Sequence, residues 1–475
     1  MGNSLNHKNR IAVLIVNWNK EKDVLNLLSD LRKIKTNFFD VFVVDNASTD
    51  QSVRSIRHIH PGVVVLVNPE NLGGTGGFNS GLEIISRKPQ YEYIWLLDND
   101  ARITDITLQE LIRAMDEDKN IGVAGSRIQD IDAPDMVVET GANFCWDRMG
   151  VIPVNRNKKG NPTQTITVDY VAICSALVRV SAMKKTGLMD RRFFLYWDDM
   201  DWGLSFKKKG YKVVAVGKSI AYHGSFTERD RGAVTTYYYG TRNALLTYSK
   251  HTPGRKRALL FLNGLRTFLK RYFFLRFHGY RFEAGLIKKA LLDFYVSNWG
   301  KIDSDKLKQN RPMSIPPINS VSLNRKRILV SLAGTSFQTG MEIIKGVETY
   351  FPNAKIDLLI ADDRENYFKA YSKKRLKTQS ANRMTYLLNC LLSLYKSKFD
   401  YVATATPVPF IYAAPEVIFY NAENKTFFSQ KSGLLNAHKA ICANLLGECV
   451  SAICFPFILH KSIKYKRQSS LLLKS

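Results

Sequence analysis

The chain is predicted to be α/β: a mostly parallel sheet with helices, then a basic helical segment, then a second, smaller α/β domain. Three observations predict it. Short continuous apolar runs at residues 11–16, 41–44, 62–67 and 94–97 alternate with helix-like stretches, the rhythm of strands and crossover helices in a parallel sheet. Residues 250–289 hold eleven Lys or Arg against one acid, Glu283, interleaved with Phe261, Phe268, Tyr272, Phe273, Phe274 and Phe277. A fresh apolar run, RKRILVSLAG, opens at Arg325, behind a stretch at 309–322 with three prolines that reads as a linker.

The elements follow in order. Residues 11–16 are apolar without alternation, as a strand covered on both faces must be. Val24, Leu25, Leu27, Leu28, Leu31 and Ile34 recur at roughly helical spacing. Residues 41–44 and 62–67 give the second and third strands, and 79–85 opens a helix. Residues 94–97 form a fourth strand that runs into Asp98, Asn99 and Asp100. Thr107 to Glu110, TLQE, has capping-box form and starts the next helix. From 130 to 169 Gly, Pro and Asn predict loops and short antiparallel strands; 171–178 recovers a strand. Residues 203–211 read as a helix closed by Gly210.

A chain of 475 residues holds two or three domains. Its net charge of +27 favours anionic partners: nucleic acid, acidic lipid or phosphorylated substrates. No nucleic-acid-binding motif accompanies the charge. Six cysteines without a C-x-x-C pair speak against a zinc knuckle or thioredoxin-like site, and their sparseness fits a reducing, cytosolic compartment. The opening MGNSLNHKNR has no signal-peptide pattern and lacks the Ser or Thr of a myristoylation motif. No uninterrupted apolar run reaches the roughly 18–20 residues of a membrane span.

Five constellations carry chemistry. Asp98 and Asp100, one residue apart at a strand's carboxyl end, can both face a hard divalent cation, or can simply form a solvated turn. NPENLGGTGGFNSGL, residues 68–82, is neither a P-loop nor a dinucleotide fingerprint. It reads as a flexible turn feeding a helix, with N–H groups able to meet an anion, or as a plain loop. Asp198, Asp199 and Asp201, set among Trp197 and Trp202, suit a general base with a raised pKa, or an acidic helix N-terminus. His223 in AYHGS is a ligand or a structural histidine. Arg242 and Asn243 in TTYYYGTRNALLTY face an anionic substrate, or the arginine stacks on tyrosines.

Taken in order, VLIVNWN, VFVVDNASTD, NLGGTGGFNSGL, WLLDND, YWDDMDWGL with KKGYKV, and YHG resemble a family 2 glycosyltransferase over residues 11–250. The W-D-D-x-D block and the following Arg-Asn are most similar to the rhamnosyl- and galactofuranosyltransferase branch. That branch often has Glu at the position of Asp201, and many relatives have Asp at that of Asn99. The resemblance implies a GT-A Rossmann-like domain at 1–250; composition divides the rest into a basic amphipathic helical segment at 251–308, a linker at 309–324 and an α/β domain at 325–475. The last is similar to half of a GT-B fold of the heptosyltransferase kind.

Roles are implied too. Asn17, Asp45 and Asn46 would hold the base and ribose of a nucleotide-sugar donor, with Gly73, Gly74 and Asn79 near its diphosphate. Asp98, Asp100 and His223 would bind Mg²⁺ or Mn²⁺. Asp199 would be the general base and Asp198 would orient the acceptor. The expectation is an inverting, metal-dependent transfer to a lipid-linked glycan, cytoplasmic and peripheral on the inner membrane face, with residues 250–289 resting on anionic lipid or forming a buried helix pair. No nucleic acid is expected as partner. A non-catalytic GT-A module that binds glycan or partner proteins is the alternative, and the intact acids argue against it.

Overall fold

The computed structural model describes residues 10–34, 39–147, 149–224, 234–277, 280–303, 326–332, 337–361, 368, 375–378, 399–404, 416–421, 426–431 and 434–472. The expected linker at 309–324 and the N-terminal MGNSLNHKN lie outside them.

The first sheet is built from β1 (Ile11–Asn17), β2 (Phe39–Asp45), β3 (Val64–Val67), β4 (Tyr93–Asp98), β5 (Arg102–Ile103), β6 (Ile121–Asp130), β7 (Val137–Glu139), then, past the small hairpin β8 (Ala142–Phe144) and β9 (Val151–Pro153), β10 (Thr165–Thr167), β11 (Ser175–Arg179) and β12 (Lys212–His223). Its order is β10-β12-β6-β11-β4-β1-β2-β3, with β5 on β12 and β7 on β6. The β3-β2-β1-β4 half is parallel. Antiparallel β11 joins it to the parallel pair β6 and β12.

Between the strands run α1 (Glu21–Lys33), α2 (Ser52–Ile59), α3 (Gly73–Ser86), α4 (Asp105–Glu117), α5 (Val180–Thr186) and α6 (Asp198–Lys208). The period-2 alternation of β1 makes three layers. Ile11, Val13 and Ile15 pack with Leu27 and Leu31 of α1 and Leu108 and Leu111 of α4. Ala12 and Leu14 pack with Phe78, Leu82 and Ile85 of α3 and with Trp202 and Phe206 of α6.

Several local expectations shift. The glycine stretch is not a flexible turn: α3 begins at Gly73, six residues before the expected start. Its glycines serve close packing. A Cβ on Gly77 would lie 2.6 Å from Val16 Cγ1, and one on Gly81 2.3 Å from Leu14 Cδ1. Helix α4 starts one turn early, with Thr104 as N-cap and Thr107 closing the capping box, so Thr107 is the third helical residue rather than the cap. Strand β11 covers only the last part of 171–178. Helix α6 begins at Asp198, since three acids in a first turn suit the positive end of the helix dipole.

Beyond the sheet, a π-helical turn (Val234–Tyr239) leads into α7 (Gly240–His251), α8 (Gly254–Phe277) and α9 (Arg281–Val296). A second, six-stranded sheet follows, made of β13 (Arg327–Ser331), β14 (Lys355–Ala361), β15 (Arg375–Thr378), β16 (Tyr401–Thr404), β17 (Glu416–Asn421) and β18 (Thr426–Lys431), with α10 (Phe337–Tyr350). Its order β15-β14-β13-β16-β17-β18 is that of a doubly wound sheet, and only β18 is antiparallel.

The final helix, α11 (Leu434–Leu472), returns to α8. A Cβ on Gly447 would lie 2.6 Å from Lys270 Cγ, so the two helices meet closely there. Glu448 forms ion pairs with Arg266 at 2.8 Å and Lys270 at 2.5 Å. This changes the reading of 250–289. Leu260, Phe261, Leu265 and Leu269 of α8 are core, packed with Leu245 and Tyr248 of α7 and Ile458 and Tyr465 of α11. The outward apolar face belongs to α11. The segment Cys442–Tyr465 is long and apolar enough to cross a membrane by length and composition, and most of its apolar stretch is not buried. Searching for an uninterrupted run misses it, because Glu448 and Lys461 break the run.

Candidate active site

The functional side chains collect at the carboxyl edge of the first sheet. Asp98 is the last residue of β4. The chain turns through Asn99 and Asp100 into β5, which pairs antiparallel with β12, Arg102 opposite Tyr222. That pairing draws the end of β12 back over the turn. A register shift between Val216 and Ile220 lets β12 continue along β6 to His223 rather than stop in a loop.

His223 Nε2 thus lies 3.0 Å from Asp100 Oδ1 and 3.7 Å from Asp98 Oδ2. The ligand atoms of the three residues all fall within 4.8 Å of one another. Among the described residues this is the one group of three or more such side chains that could hold a metal ion. Two carboxylates and an imidazole suit Mg²⁺ or Mn²⁺.

The electrostatics are those of a crowded anionic site. Burial, with Asp100 and Asp198 nearby, pushes Asp98 up to about 6 against the pull of His223. Burial would raise Asp100 as well, yet the hydrogen bond and charge of His223, with Lys20, hold it below the usual carboxylate range. Burial disfavours the His223 cation, but its bond to Asp100 and the charges of Asp100 and Asp98 lift it to about 9. Without a cation the histidine carries the balancing charge.

Beside these acids, the ends of β1 and β2 form a polar lattice. Asp45, fully buried, accepts from Ser48 Oγ at 2.6 Å, Ser48 N at 2.8 Å and Asn17 Nδ2 at 3.2 Å. Asn46 donates to Gly73 O at 2.8 Å and accepts from Asn68 at 2.7 Å. Asn99, the middle residue of the D-N-D turn, donates to Asn17 Oδ1 at 2.9 Å. It therefore ties the acid turn to this lattice.

Gly73 adopts φ 71°, and a Cβ there would lie 2.0 Å from Phe194 O; one on Gly74 would approach Asp198 Oδ2 at 3.9 Å. Asn79 stands apart from the lattice. Its amide donates to Met189 O at 2.9 Å and accepts from Met189 N at 3.1 Å. Buried nearly two helical turns into α3, it fixes backbone instead of meeting a donor.

The third group comes from the start of α6. Asp198 is buried and accepts from Thr75 Oγ1 at 2.8 Å. Burial raises its pKa against that hydrogen bond, with the charge of Asp201 adding to the rise. Asp199 lines a cavity of about 280 Å³ together with Glu139, Tyr170, Leu195, Tyr196 and Thr235. Asp201 faces elsewhere. It accepts from Lys250 at 2.5 Å and meets His251 at 2.9 Å. Burial would raise it, but those two groups hold it below the usual range. The three acids are one cluster in sequence and two environments in space.

The turn before α6 is strained. Tyr196 (φ 70°) and Trp197 (φ 76°) are consecutive bulky residues in the left-handed region, at a cost on the order of 1–3 kcal/mol each. Arg242 is fully buried, with its guanidinium carbon 5.0 and 5.2 Å from the ring centres of Tyr238 and Tyr239 and 5.7 Å from that of Trp299. It stacks in the core and does not face an anionic substrate. Thr75, Ser48, Asn68 and Asn99 were given no role by sequence reasoning, although all four stand in stretches already singled out.

Residues 12–187 match the family described as Glycosyl transferase family 2. The chain is 22% identical over 286 residues to galactofuranosyltransferase GlfT2 of Mycobacterium tuberculosis, covering 55% of this chain and 44% of that protein. It is 20% identical over 389 residues to GlfT2 of Mycolicibacterium smegmatis, covering 73% and 59%. The chain thus spans about half the length of these curated relatives. Among solved structures, S. aureus TarS 1–349 in complex with UDP-GlcNAc is 18% identical, with 60% of this chain and 80% of that chain covered and a TM-score of 0.38.

Proposed function

We propose, from the match of residues 12–187 to family 2 glycosyltransferases, that the chain catalyses inverting, metal-dependent transfer of a sugar from a nucleotide-sugar donor to a hydroxyl of a lipid-linked glycan. One observation carries the reading: Asp98, Asp100 and His223 converge at the sheet edge, electrostatically coupled to Asp198, whose neighbour Asp199 lines the adjacent cavity.

In this reading Asn17, Asp45 and Asn46 hold the base and ribose. Their hydrogen bonds to Ser48, Asn68 and Asn99 pre-set them before the donor arrives. Gly73 and Gly74, at the start of α3 against Phe194 and near Asp198, would lie near the diphosphate. Asp98, Asp100 and His223 would hold Mg²⁺ or Mn²⁺, which supplies positive charge for the departing nucleoside diphosphate. Asp199 takes the proton of the acceptor hydroxyl as its oxygen bonds to the anomeric carbon and the bond to the phosphate oxygen breaks. Asp198 orients the acceptor. A single base opposite the leaving group gives inversion.

The relatives are galactofuranosyltransferases, which makes a galactofuranosyl nucleotide the first donor to try. Membrane association is part of the proposal. The exposed apolar face of α11, with a chain of net charge +27, supports a peripheral place on the inner face of an anionic membrane. The domain limits 1–250, 251–308 and 325–475 are proposed with it.

The test is a donor panel. The full chain is incubated with Mn²⁺ or Mg²⁺, each common sugar nucleotide and a lipid-linked or soluble glycan acceptor, and release of nucleoside diphosphate is followed. Turnover with one donor is expected, abolished by Asp199→Asn with donor binding retained. Failure of every donor with every acceptor overturns the reading.

A further inference from the structure

The Arg-Asn pair of α7 plays no part in the site described so far. The Nδ2 group of Asn243 donates to two consecutive carbonyls, Leu195 O at 2.9 Å and Tyr196 O at 2.8 Å. These carbonyls belong to the left-handed turn that ends in Trp197 and starts α6 at Asp198. Asn243 is fully buried. Arg242 Nε donates to Asn243 Oδ1 at 3.0 Å, which settles the amide with its NH₂ toward the turn. Arg242 in turn donates to Gly300 O at 2.9 Å and lies against Tyr238, Tyr239 and Trp299.

We propose that Asn243 is a positioning residue, clamping the Leu195–Tyr196–Trp197 turn so that Asp198 and Asp199 point into the reaction cavity, with Arg242 locking the clamp. The physical need is specific. Two bulky residues with positive φ persist only where surrounding contacts over-determine them. An Asn amide offers two donors in one plane, enough to bond two adjacent carbonyls at once. Without those bonds the turn relaxes to negative φ, and the first turn of α6 rotates. Asp198 then leaves Thr75, and Asp199 leaves the cavity wall. A displacement of about 1 Å at a catalytic group costs on the order of a hundredfold in rate.

The inference rests on the proposed role of Asp199, and its test separates the two. Asn243→Asp keeps the size of the side chain but replaces the donor with an acceptor facing two carbonyls. In the full chain it is expected to lower kcat by about tenfold to a hundredfold, with KM for the donor within about twofold, since the donor lattice lies on β1 and β2. Asn243→Ser, smaller and still a donor, retains more activity than Asn243→Asp. Tyr196→Gly in the Asn243→Asp background recovers part of kcat, because glycine carries positive φ without strain; a merely structural role for Asn243 would give no such recovery. Circular dichroism and melting are measured on each variant, so that loss of fold is read apart from loss of rate. Wild-type kcat in Asn243→Asp, or a loss that follows the folded fraction alone, overturns the clamp. Wild-type rate in Asp199→Asn, measured alongside, overturns the reading of the base instead.

Discussion

Thr75 Oγ1 lies 2.8 Å from Asp198 Oδ2, so the helix built from the glycine stretch holds the acid that follows the left-handed turn. Two motifs 123 residues apart in sequence thereby share one hydrogen bond. Burial raises Asp198, and this bond opposes the rise. A hydrogen bond to a charged group is worth about 1.5–3 kcal/mol. Thr75→Val should therefore move the acidic limb of the kcat/KM profile upward by on the order of one pH unit. Profiles between pH 5 and 9 check this; superimposable curves for the variant and the native chain count against it.

The cation site has its own pH signature. His223 holds its proton up to about 9 and Asp98 up to about 6. A divalent cation needs the neutral imidazole and both carboxylates ionised. Affinity for Mn²⁺ should accordingly rise with pH between 6 and 9, with proton release that approaches one per ion around neutrality. His223→Ala should flatten the dependence above pH 7. It should also weaken binding by at least about tenfold, since even groups behind a ligand are worth that much. Calorimetric titration with Mn²⁺ in buffers of different ionisation enthalpy reads both quantities.

A third expectation concerns the buried network behind α6. Lys250 bridges Asp190 at 2.7 Å and Asp201 at 2.5 Å, and His251 meets Asp201 at 2.9 Å. Removing the cation leaves Asp190 with Arg192 and buried Asp201 with His251 alone, and Lys250→Met should destabilise the domain by up to about 3 kcal/mol. The pH sign follows from three depressed groups. Burial lowers His251 below 6.5, so the unfolded chain takes a proton first and stability declines as pH falls from about 6.5. Asp190 and Asp201 are held below 3.8 by their cationic partners. Their contribution is complete above that value and is lost as pH falls further. Melting temperatures from pH 7.5 to 3 should show both stages, and His251→Asn should remove the first.

Legibility followed the range of each interaction. The parallel half of the sheet was readable because β1, β2 and β4 are buried on both faces and so are uniformly apolar. Asp98, Asp100 and His223 were named from motif order, but their meeting depends on the pairing of β5 with β12, a two-residue strand with no sequence signal. The glycines misled because glycine marks both loops and close helix packing. Gly77 and Gly81 are explained only by Val16 and Leu14 of the neighbouring strand. The split of Asp198 from Asp201 was invisible, since it is made by Thr75 on one side and Lys250 on the other.

The outward face of α11 gives the last prediction. Cys442, Leu445, Leu446, Cys449, Ile453 and Phe457 are exposed and recur at helical spacing. They form an acid-free stripe about 22 Å long at 1.5 Å per residue. Exposed Lys464 follows at its end. Burying such a stripe at the acyl boundary stabilises association by about 1.5–3 kcal/mol for each large side chain, and lysine adds about 1 kcal/mol near an anionic surface. Ile453→Glu with Phe457→Glu should therefore lower flotation with phosphatidylglycerol-containing vesicles by tenfold or more. Transfer to a water-soluble acceptor should persist, because neither residue approaches the sheet edge. Pure phosphatidylcholine vesicles should bind the native chain more weakly, and added salt should narrow that difference. If the double variant floats as the native chain does, the stripe is not the membrane contact. If it instead changes the sedimentation of the protein without lipid, the stripe is covered by a second copy of the chain.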